Sequence, residues 1–514
     1  MRDFGEIVRT AAARHPDRVA VTCLRVDQSY ADLHHRGCRL ANALAGLGVQ
    51  RGDRVALLGV NSAWTVEQAA GVAMGGYVRA ALYSHQTAEV NAYLVDLVDA
   101  VALIVQAPYA AELLARRAQM PTLRHIIVYD GEAPPGAVDY EELLAKAEDA
   151  DPLVRTQAGD PHVIRFSAGT TGRPKGVLHT VEAWLRSDDE YRWVTPQLDE
   201  NDVYLAVGQL THAAAVFLWP MLQVGARIVV VPSFDPAAVL ADIELQRATF
   251  TLMVPTMIQA LVNHPDARTR DLSSLRCLNY AAAPISGATV AAALEVFGPV
   301  LYQMYAQSEA WPITMLLPHQ HRDRPTSVGR ATPNNVLFIV DDDGNPVPAG
   351  NVGEIAVRGP ARMWELWKET DATAARTLPD GSWLTRDVGR LDDEGFLYLV
   401  DRKDDLIISG GYNIWPAQLE QAITAHPLVA DVCVVGAPHE RWGETPVAVV
   451  VPLAGATIDA QEIIELSRGA AGSVHKVTAV EFVEALPRSG LGKVLRREVR
   501  ERFWADRSER LGGV

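Results

Sequence analysis

The sequence is poor in cysteine, lacks long apolar runs and carries no excess of basic residues, and each shortage excludes a class of protein. Four cysteines stand among 514 residues, and no two of them form a C-x-x-C pair. Scattered cysteines are typical of a reducing cytoplasm, and neither a disulfide framework nor a zinc site is expected. No stretch approaches the roughly 18 uninterrupted apolar residues of a membrane-spanning helix. We therefore predict a cytoplasmic protein with no membrane partner.

The charge balance argues against a nucleic-acid partner. Lysine and arginine number 47 against 63 aspartates and glutamates, which gives a formal net charge of −16. Binding to nucleic acid normally requires a basic face, so we predict none. The amino terminus MRDFGEIVRT lacks the charged and then apolar pattern of a secretion signal. The carboxyl terminus RLGGV is not a peroxisomal address.

Alternating helical and strand-like patterns predict an α/β fold. Residues 30–45 carry leucines at helical spacing, residues 54–59 form an apolar run typical of a buried strand, and a second helical pattern begins at Trp64. This rhythm is typical of a mostly parallel sheet covered by helices, and it returns over 202–300. Short alternating strands with turn dipeptides over 327–398 predict a small β-rich subdomain.

The length of the chain and a change of composition predict two domains. A chain of 514 residues exceeds what one hydrophobic core usually holds. The segment DRKDDLIISGGYNIWPAQLE combines charges with paired glycines, as linkers do. Within it, Pro416 is well placed as the first residue of a helix with one apolar face. We predict a large N-terminal domain over 1–401 and a smaller α+β C-terminal domain, joined by a hinge, over 402–514.

The run FSAGTTGRPKGV, residues 166–177, has the composition of a loop that wraps phosphate. Its glycines leave backbone amides accessible, its hydroxyl groups supply donors, and its arginine and lysine add positive charge. It is not a Walker A loop, which needs glycine at the position of Pro174, directly before Lys175. Composition alone equally allows a flexible surface loop.

The order of these residues favours phosphate binding, because the run closely resembles the phosphate loop of the adenylate-forming enzymes. That superfamily contains acyl-CoA synthetases, adenylation domains and luciferases, and its later motifs follow in the same order over essentially the whole chain. The resemblance implies that the loop binds ATP through Ser167, Thr170, Thr171, Gly172 and Lys175.

A second element resembles the family motif Y-G-x-[ST]-E. It spans Tyr305 to Glu309, with alanine at position 306 where the family usually has glycine. The resemblance implies that Tyr305 and Ser308 belong to the ATP site, with Ser308 donating to the phosphates. It also implies that Glu309 holds Mg²⁺ against those phosphates, a role suited to carboxylate oxygen.

Motifs for the rest of the nucleotide follow the same resemblance. A turn of small residues corresponds to the family's adenine-lining G-[GA]-A-P turn, and its members are Ala281, Ala282, Ala283 and Pro284. Asp387 corresponds to the aspartate of T-G-D, which accepts hydrogen bonds from the ribose hydroxyls, and Arg402 to the second ribose contact. Arg386 replaces the usual glycine. We expect its guanidinium either to turn back onto Asp387 or to reach the phosphates.

The remaining motifs concern the acid and its acceptor. His212 aligns with the histidine before the acid pocket, where it either positions the substrate or serves as a structural hydrogen-bonding group. Gly410 and Gly411 would let pantetheine pass close to the backbone. Asp404 matches the family's hinge position. Lys493 matches the lysine that reaches the carboxylate and the α-phosphate, although beside two arginines it also fits a solvated basic face.

Together these motifs imply an ATP-dependent acid–CoA ligase that uses ATP, Mg²⁺ and CoA. The carboxylic acid first becomes an acyl-adenylate and then a thioester, and three consecutive alanines after His212 favour a bulky cyclic or aromatic acid. Two alternatives stay open. One is an enzyme of a single half-reaction or one that loads an acyl carrier protein, and the other is an inactive nucleotide-binding protein. The sequence allows a monomer or a homodimer.

Overall fold

The computed structural model describes residues 3–167, 174–360, 362–410, 412–471, 476–488 and 494–504. Five predicted site residues lie outside this part of the chain, namely Thr170, Thr171, Gly172, Gly411 and Lys493.

Strands alternate with helices along the first two thirds of the chain, as the periodicity predicts. In chain order the strands are β1 Val19–Cys23, β2 Val26–Ser29, β3 Arg54–Leu58, β4 Val78–Ala81, β5 Ala102–Gln106, β6 His125–Tyr129, β7 Val138–Asp139, β8 Pro161–Ser167, β9 Lys175–Thr180, β10 Val203–Ala206, β11 Arg227–Val230, β12 Phe250–Met253, β13 Cys277–Tyr280, β14 Leu301–Tyr305, β15 Thr314–Leu316, β16 Arg330–Ala331, β17 Val336–Val340, β18 Gly353–Arg358, β19 Glu365–Leu366, β20 Trp383–Leu391, β21 Leu397–Arg402, β22 Ile407–Ser409, β23 Tyr412–Ile414, β24 Val429–His439, β25 Gly443–Pro452 and β26 Ala479–Phe482.

The helices carry their apolar faces toward these strands. In chain order they are α1 Phe4–Arg14, α2 Tyr30–Gly46, α3 Ala63–Met74, α4 Ala88–Leu97, α5 Ala107–Ala115, α6 Tyr140–Ala145, α7 Val181–Val194, α8 Leu218–Val224, α9 Pro236–Gln246, α10 Pro255–Asn263, α11 Gly287–Phe297, α12 Thr370–Ala375, α13 Pro416–Thr424, α14 Ala460–Ala471 and α15 Arg496–Trp504. No helix within the described ranges is long and apolar enough to span a membrane.

The described residues form two compact units, of which the first comprises 3–167, 174–336 and 357–383. It holds a nine-stranded sheet in the order β16-β15-β14-β13-β12-β10-β11-β1-β2 and an eight-stranded sheet in the order β19-β9-β8-β4-β3-β5-β6-β7. The central strands of both sheets are parallel, and the strands at the edges that carry β2, β16 and β19 run antiparallel to their neighbours.

Both sheets contribute to one buried core. Val163 of β8 packs in the same cluster as Ile228 of β11, together with Phe4 of α1, Trp184 of α7 and Phe217 beside α8. Burial of aromatic and branched side chains on both sheet faces is the main favourable term that holds these layers together. The four cysteines of the chain are buried and free, so no disulfide contributes.

The second unit comprises 337–356 and 384–504 within the described residues. It contains most of a four-stranded sheet in the order β17-β18-β20-β21, together with a sheet in which β26 joins the strands β23-β22-β25-β24. The predicted β-rich subdomain is therefore interrupted, because residues 357–383 belong to the first unit. The domain division at 401/402 stays a prediction.

Local patterns explain where the best-predicted helices begin. Helix α2 starts after Ser29, which forms a capping box with Asp32: each side chain accepts a hydrogen bond from the other residue's backbone N–H. Helix α13 starts at Pro416, and its inner face buries Leu419 and Ile423 completely. The predictions for both helices are confirmed, as is the α/β class of the fold.

Candidate active site

The predicted phosphate loop connects two antiparallel strands. Ser167 ends β8, Lys175 begins β9, and the two residues are paired across the strands. The loop is thus the connection of a β-hairpin, whereas a Walker A loop leads from a strand into a helix. The Lys175 ammonium forms an ion pair with the Glu369 carboxylate. A cation therefore lies at the start of β9, where the predicted phosphate loop ends.

Glu309 lies just beyond the end of β14 and is buried, with 9% of its surface exposed. Its carboxylate is 3.5 Å from the Arg376 guanidinium, which stacks on the Trp383 ring at 4.1 Å. An ion pair at this distance is loose and leaves carboxylate oxygen for a further cation. A single buried carboxylate beside a phosphate loop suits Mg²⁺, which is usually held by one or two carboxylates together with substrate phosphates. The chemistry of the site therefore fits the predicted metal.

His179 of β9 connects the hairpin to the Glu309 segment. Its Nε2–H donates to the Ser308 carbonyl at 2.7 Å, and the side chain is fully buried. Burial, helped by the nearby charge of Arg165, lowers the pKa of His179 to about 3, so this histidine is neutral. The sequence analysis missed His179, because a lone histidine inside an apolar strand gives no pattern.

The predicted adenine turn lies next to the Tyr305 segment. Strands β13 and β14 are parallel neighbours, so the residues after both strands meet at one edge of the nine-stranded sheet. Ala282 has a φ of 77°, in the left-handed region that favours glycine. The backbone conformation that the family's glycine adopts is thus kept, although alanine stands at this position. Three residues of the turn are exposed on the surface of this unit, namely Ala282, Ala283 and Pro284.

His212 precedes a short 3₁₀ helix at Ala213–Phe217. Its Nδ1 lies 3.4 Å from the Tyr83 hydroxyl and 3.4 Å from Nη2 of Arg165. The Tyr83 hydroxyl donates to the Phe166 carbonyl at 2.6 Å, which connects this histidine to the strand that leads into the hairpin. Tyr83 and Arg165 were absent from the predicted set. The available clue was an arginine inside the otherwise apolar run PHVIRF.

The two predicted ribose contacts lie in the second unit and face each other. Asp387 of β20 and Arg402 of β21 are directly paired in an antiparallel ladder, and Nε of Arg402 is 3.3 Å from the Asp387 carboxylate. Asp387 is buried to 8% exposure, whereas Arg402 is exposed. The sheet therefore brings the pair together without help from a ligand.

The structure does not show the expected return of Arg386 onto Asp387, and its contact with the phosphates stays a prediction. Its guanidinium pairs with Asp404 rather than Asp387, and the two carboxylate oxygens of Asp404 each lie 3.1 Å from Nε. The hydrogen bonds that Arg386 donates to the Asp404 carboxylate raise the pKa of Arg386. The φ of Arg386 is 62°, and its N–H donates to Glu354 at 2.9 Å. The backbone thus keeps the conformation of the usual glycine, and this conformation directs the side chain toward Asp404.

Gly410 lies in a tight turn, and its predicted role beside pantetheine stays a prediction. Its φ is 59°, its N–H donates to the Trp442 carbonyl at 2.9 Å, and an added Cβ would lie 3.4 Å from the Trp442 indole. Near Lys493, Arg496 is not part of a solvated basic face. It forms a bidentate ion pair with Glu420 and a further pair with Asp405 at 3.3 Å.

Asp401, at the predicted domain boundary, is expected to make stability depend on pH. Its carboxylate accepts from the Ala417 N–H at 2.7 Å, and burial raises its pKa from 3.8 to about 6. The folded state binds this proton more tightly than the unfolded state. The contribution of Asp401 to the free energy of unfolding therefore falls as pH rises from about 4 to 6, by at most about 3 kcal/mol, and it is constant at higher pH. Asp401→Asn should remove this slope.

Thermal unfolding of the wild type and Asp401→Asn at pH 4.5 and pH 7.5 measures the effect. We expect the variant's Tm to exceed that of the wild type more at pH 7.5 than at pH 4.5. The exposed turn residue Asp393, changed to asparagine, is the matched control and should show no such difference. A Tm difference between wild type and Asp401→Asn that is equal at both pH values would contradict the assignment.

Comparison with known proteins agrees with this geometry. Residues 8–367 match the AMP-binding enzyme family, and residues 418–493 match the AMP-binding enzyme C-terminal domain. A medium/long-chain-fatty-acid–CoA ligase of Mycobacterium tuberculosis is 36% identical, covering 99% of this chain and 91% of its own. An indoleacetate–CoA ligase of Aromatoleum aromaticum is 36% identical, covering 97% of this chain and 98% of its own.

A solved structure extends the similarity to three dimensions. An amide bond synthetase from Marinactinospora thermotolerans superposes with a TM-score of 0.87 at 30% identity, covering 97% of this chain and 100% of its own. Both the sequence relatives and this structure match nearly the whole chain rather than one domain. The chain therefore belongs to the AMP-binding enzyme family, among its AMP-forming acid–CoA ligases.

Proposed function

We propose that this ligase activates a bulky cyclic or aromatic carboxylic acid and transfers the acyl group to CoA, releasing pyrophosphate and AMP. The observation that carries the proposal is the phosphate hairpin, whose strand β9 contacts the Glu309 segment through His179. A polyphosphate loop beside a buried carboxylate is what MgATP requires.

Each predicted residue takes a defined part in this proposal. Ser167 and Lys175, with Thr170, Thr171 and Gly172, bind the phosphates, and the 281–284 turn and Tyr305 border the base. Asp387 accepts from the ribose hydroxyls, and Arg402 is the second ribose contact, which the pairing of the two side chains supports. Glu309 would hold Mg²⁺, which neutralises phosphate charge when bound.

The first step is an in-line displacement. An oxygen of the substrate carboxylate attacks the α-phosphorus, the bond to the β-phosphate oxygen breaks, and pyrophosphate leaves with its electron pair. Lys493 stabilises the charge that develops on the carboxylate and the α-phosphate, and His212 positions the acid. In the second step the CoA thiolate attacks the acyl carbonyl, and AMP leaves.

The preference for a bulky acid rests on the residues after His212. Ala214 and Ala215 are buried and occupy little volume, and Phe217 and Trp219 beside them are buried aromatic side chains. Small side chains next to aromatic ones in the segment after His212 favour a ring over a short alkyl chain. The relatives named above act on fatty acids and on indoleacetate, so the acid itself must be found by assay.

Pyrophosphate exchange with a panel of acids tests the first step, and release of AMP with CoA tests the second. We expect aromatic and cyclic acids to support exchange better than acetate, and CoA to accept the acyl group. Parallel reactions with a carrier protein and with an amine test the other acceptors, and light scattering separates monomer from homodimer. Exchange without transfer to any acceptor would favour the single half-reaction alternative.

Arg386→Gly tests whether the atypical arginine acts on the nucleotide. Because its guanidinium is directed to Asp404, we expect the Michaelis constant for ATP to change less than about twofold. Stability should also change little, since the variant loses a partly exposed ion pair worth about 0.5 kcal/mol and relieves left-handed strain of about 1 kcal/mol. We measure exchange kinetics and Tm, with Arg386→Lys as the charge-preserving control. A marked fall in the constant would show that arginine obstructs the site.

A further inference from the structure

Two arginine side chains are buried next to each other in the first unit, with no acidic partner in the part of the chain that the structure describes. Arg79 of β4 is 3% exposed and Arg165 of β8 is 6% exposed. Arg79 pairs with Val163, two residues before Arg165, so both side chains leave the same face of the eight-stranded sheet. Within the described residues neither forms an ion pair, and Nε of each has no hydrogen-bond partner.

Burial of two unpaired cations is unfavourable unless an anion compensates them. Burial lowers the pKa of Arg79, and the positive charge of Arg165 lowers it further, to about 10. Arg79 therefore stays protonated at neutral pH. Buried charges in folded proteins are normally paired or bind ligands. The acidic group Glu309 lies close enough to favour the charged form of Arg165, but its carboxylate is paired with Arg376.

The surroundings of Arg165 supply further hydrogen-bond donors. Its guanidinium lies 5.7 Å from the centre of the Trp184 ring, which packs edge-on against Trp311 at 4.7 Å. The indole N–H groups of both tryptophans are buried without a partner. An unfilled set of buried donors around a guanidinium is what a carboxylate would satisfy.

Position along β8 connects this cluster with the chemistry. Arg165 precedes Ser167 by two residues on the same face of the strand, about 7 Å along it, and its Nη2 contacts His212. If the reacting carboxylate of the substrate lies at the phosphate hairpin, Arg165 lies near the other end of a small substrate. That spacing suits two carboxylates separated by a ring or a short chain.

We infer that Arg165, supported by Arg79, binds a second carboxylate of the substrate, and that the acid is therefore a dicarboxylic acid. The inference rests on the proposed function and narrows it. Arg165 contacts the substrate, whereas Arg79 is a positioning residue that acts through it. A guanidinium with two donors toward the ligand distinguishes carboxylate from a neutral group of the same size.

Matched pairs of acids test the inference through pyrophosphate exchange. The pairs are benzoate with terephthalate and phenylacetate with 1,4-phenylenediacetate, and the readout is the diacid-to-monoacid ratio of kcat/KM. We expect the wild type to favour the diacids and Arg165→Met to lower the ratio about 100-fold, the usual effect of removing one partner of a buried charge pair. Arg79→Met should lower it about tenfold, and Arg165→Lys should restore part of it.

Arg54→Met is the matched control, because Arg54 lies in the same sheet on β3 but donates to the Val98 and Asp99 carbonyls. The diacid-to-monoacid ratio of kcat/KM for Arg54→Met should equal that of the wild type. Should Arg165→Met not fold, a thermal shift of the wild type decides: terephthalate should raise Tm and benzoate should not. Equal kcat/KM or equal Tm shifts for both members of each pair would overturn the inference. Absence of exchange with every acid would instead overturn the proposed function.

Discussion

Replacement of Lys493 by alanine is expected to lower the rate of acyl-adenylate formation by at least 10²–10³-fold, the usual effect of removing one donor that stabilises developing charge. Formation of the thioester from a supplied acyl-adenylate should survive, because the bond between the carboxylate and the α-phosphate, whose formation Lys493 assists, already exists in that substrate. Two assays on one preparation measure this, pyrophosphate exchange for the first step and CoA-dependent release of AMP from the adenylate for the second.

Arg497→Ala is the matched control for Lys493. Arg497 is an exposed cation in the same segment, and it pairs with Glu501 one helical turn away. Its loss should leave both half-reactions within about twofold, since exposed ion pairs of this kind contribute little. An equal loss of both half-reactions in Lys493→Ala, with a lowered Tm, would assign the lysine a structural role.

Glu309→Gln is expected to lower adenylation by about 10²–10³-fold, an effect of the same order as the loss of Lys493. The amide is isosteric but neutral, so it holds Mg²⁺ far less tightly than a carboxylate. The concentration of Mg²⁺ that supports half-maximal exchange should rise, and thioester formation from a supplied adenylate should be affected less. Exchange rates across a Mg²⁺ titration measure both effects.

Glu309→Asp separates metal binding from the ion pair with Arg376. It keeps the charge, so exchange should recover at high Mg²⁺ even though the shorter side chain lies farther from Arg376. Arg376 keeps its packing on Trp383 in either variant. An unchanged Mg²⁺ requirement in Glu309→Gln, combined with a fall in Tm, would mean that Glu309 serves the fold alone.

Several site residues were predictable because short segments of sequence fix their chemistry. Ser167 and Lys175 flank one short loop and lie at facing strand ends. Helix α13 begins at Pro416 because proline without an N–H suits the first turn. The pairing of Asp387 with Arg402 follows from two neighbouring strands and a single antiparallel register.

The partners of long charged side chains were not predictable. Lys175 pairs with Glu369, 194 positions along the chain, and the guanidinium of Arg386 pairs with Asp404 rather than with the adjacent Asp387. A backbone φ of 62° directs Arg386 away from its neighbour, and no local pattern reveals that angle once glycine is replaced. Side chains with many rotamers take partners that only the packed fold brings within reach.

The sequence by itself determined the α/β layers, the family motifs and the chemistry each motif can perform, because periodicity and residue order act over short distances. Only the tertiary structure decided which motifs meet. It connected the hairpin to the Glu309 segment through His179, and it buried Arg79 and Arg165 on adjacent strands with no acidic partner among the residues that the structure describes. In sequence these two arginines are single charges in separate apolar runs. The free-energy cost of their desolvation arises only when folding removes both side chains from water, and a bound anion would offset that cost.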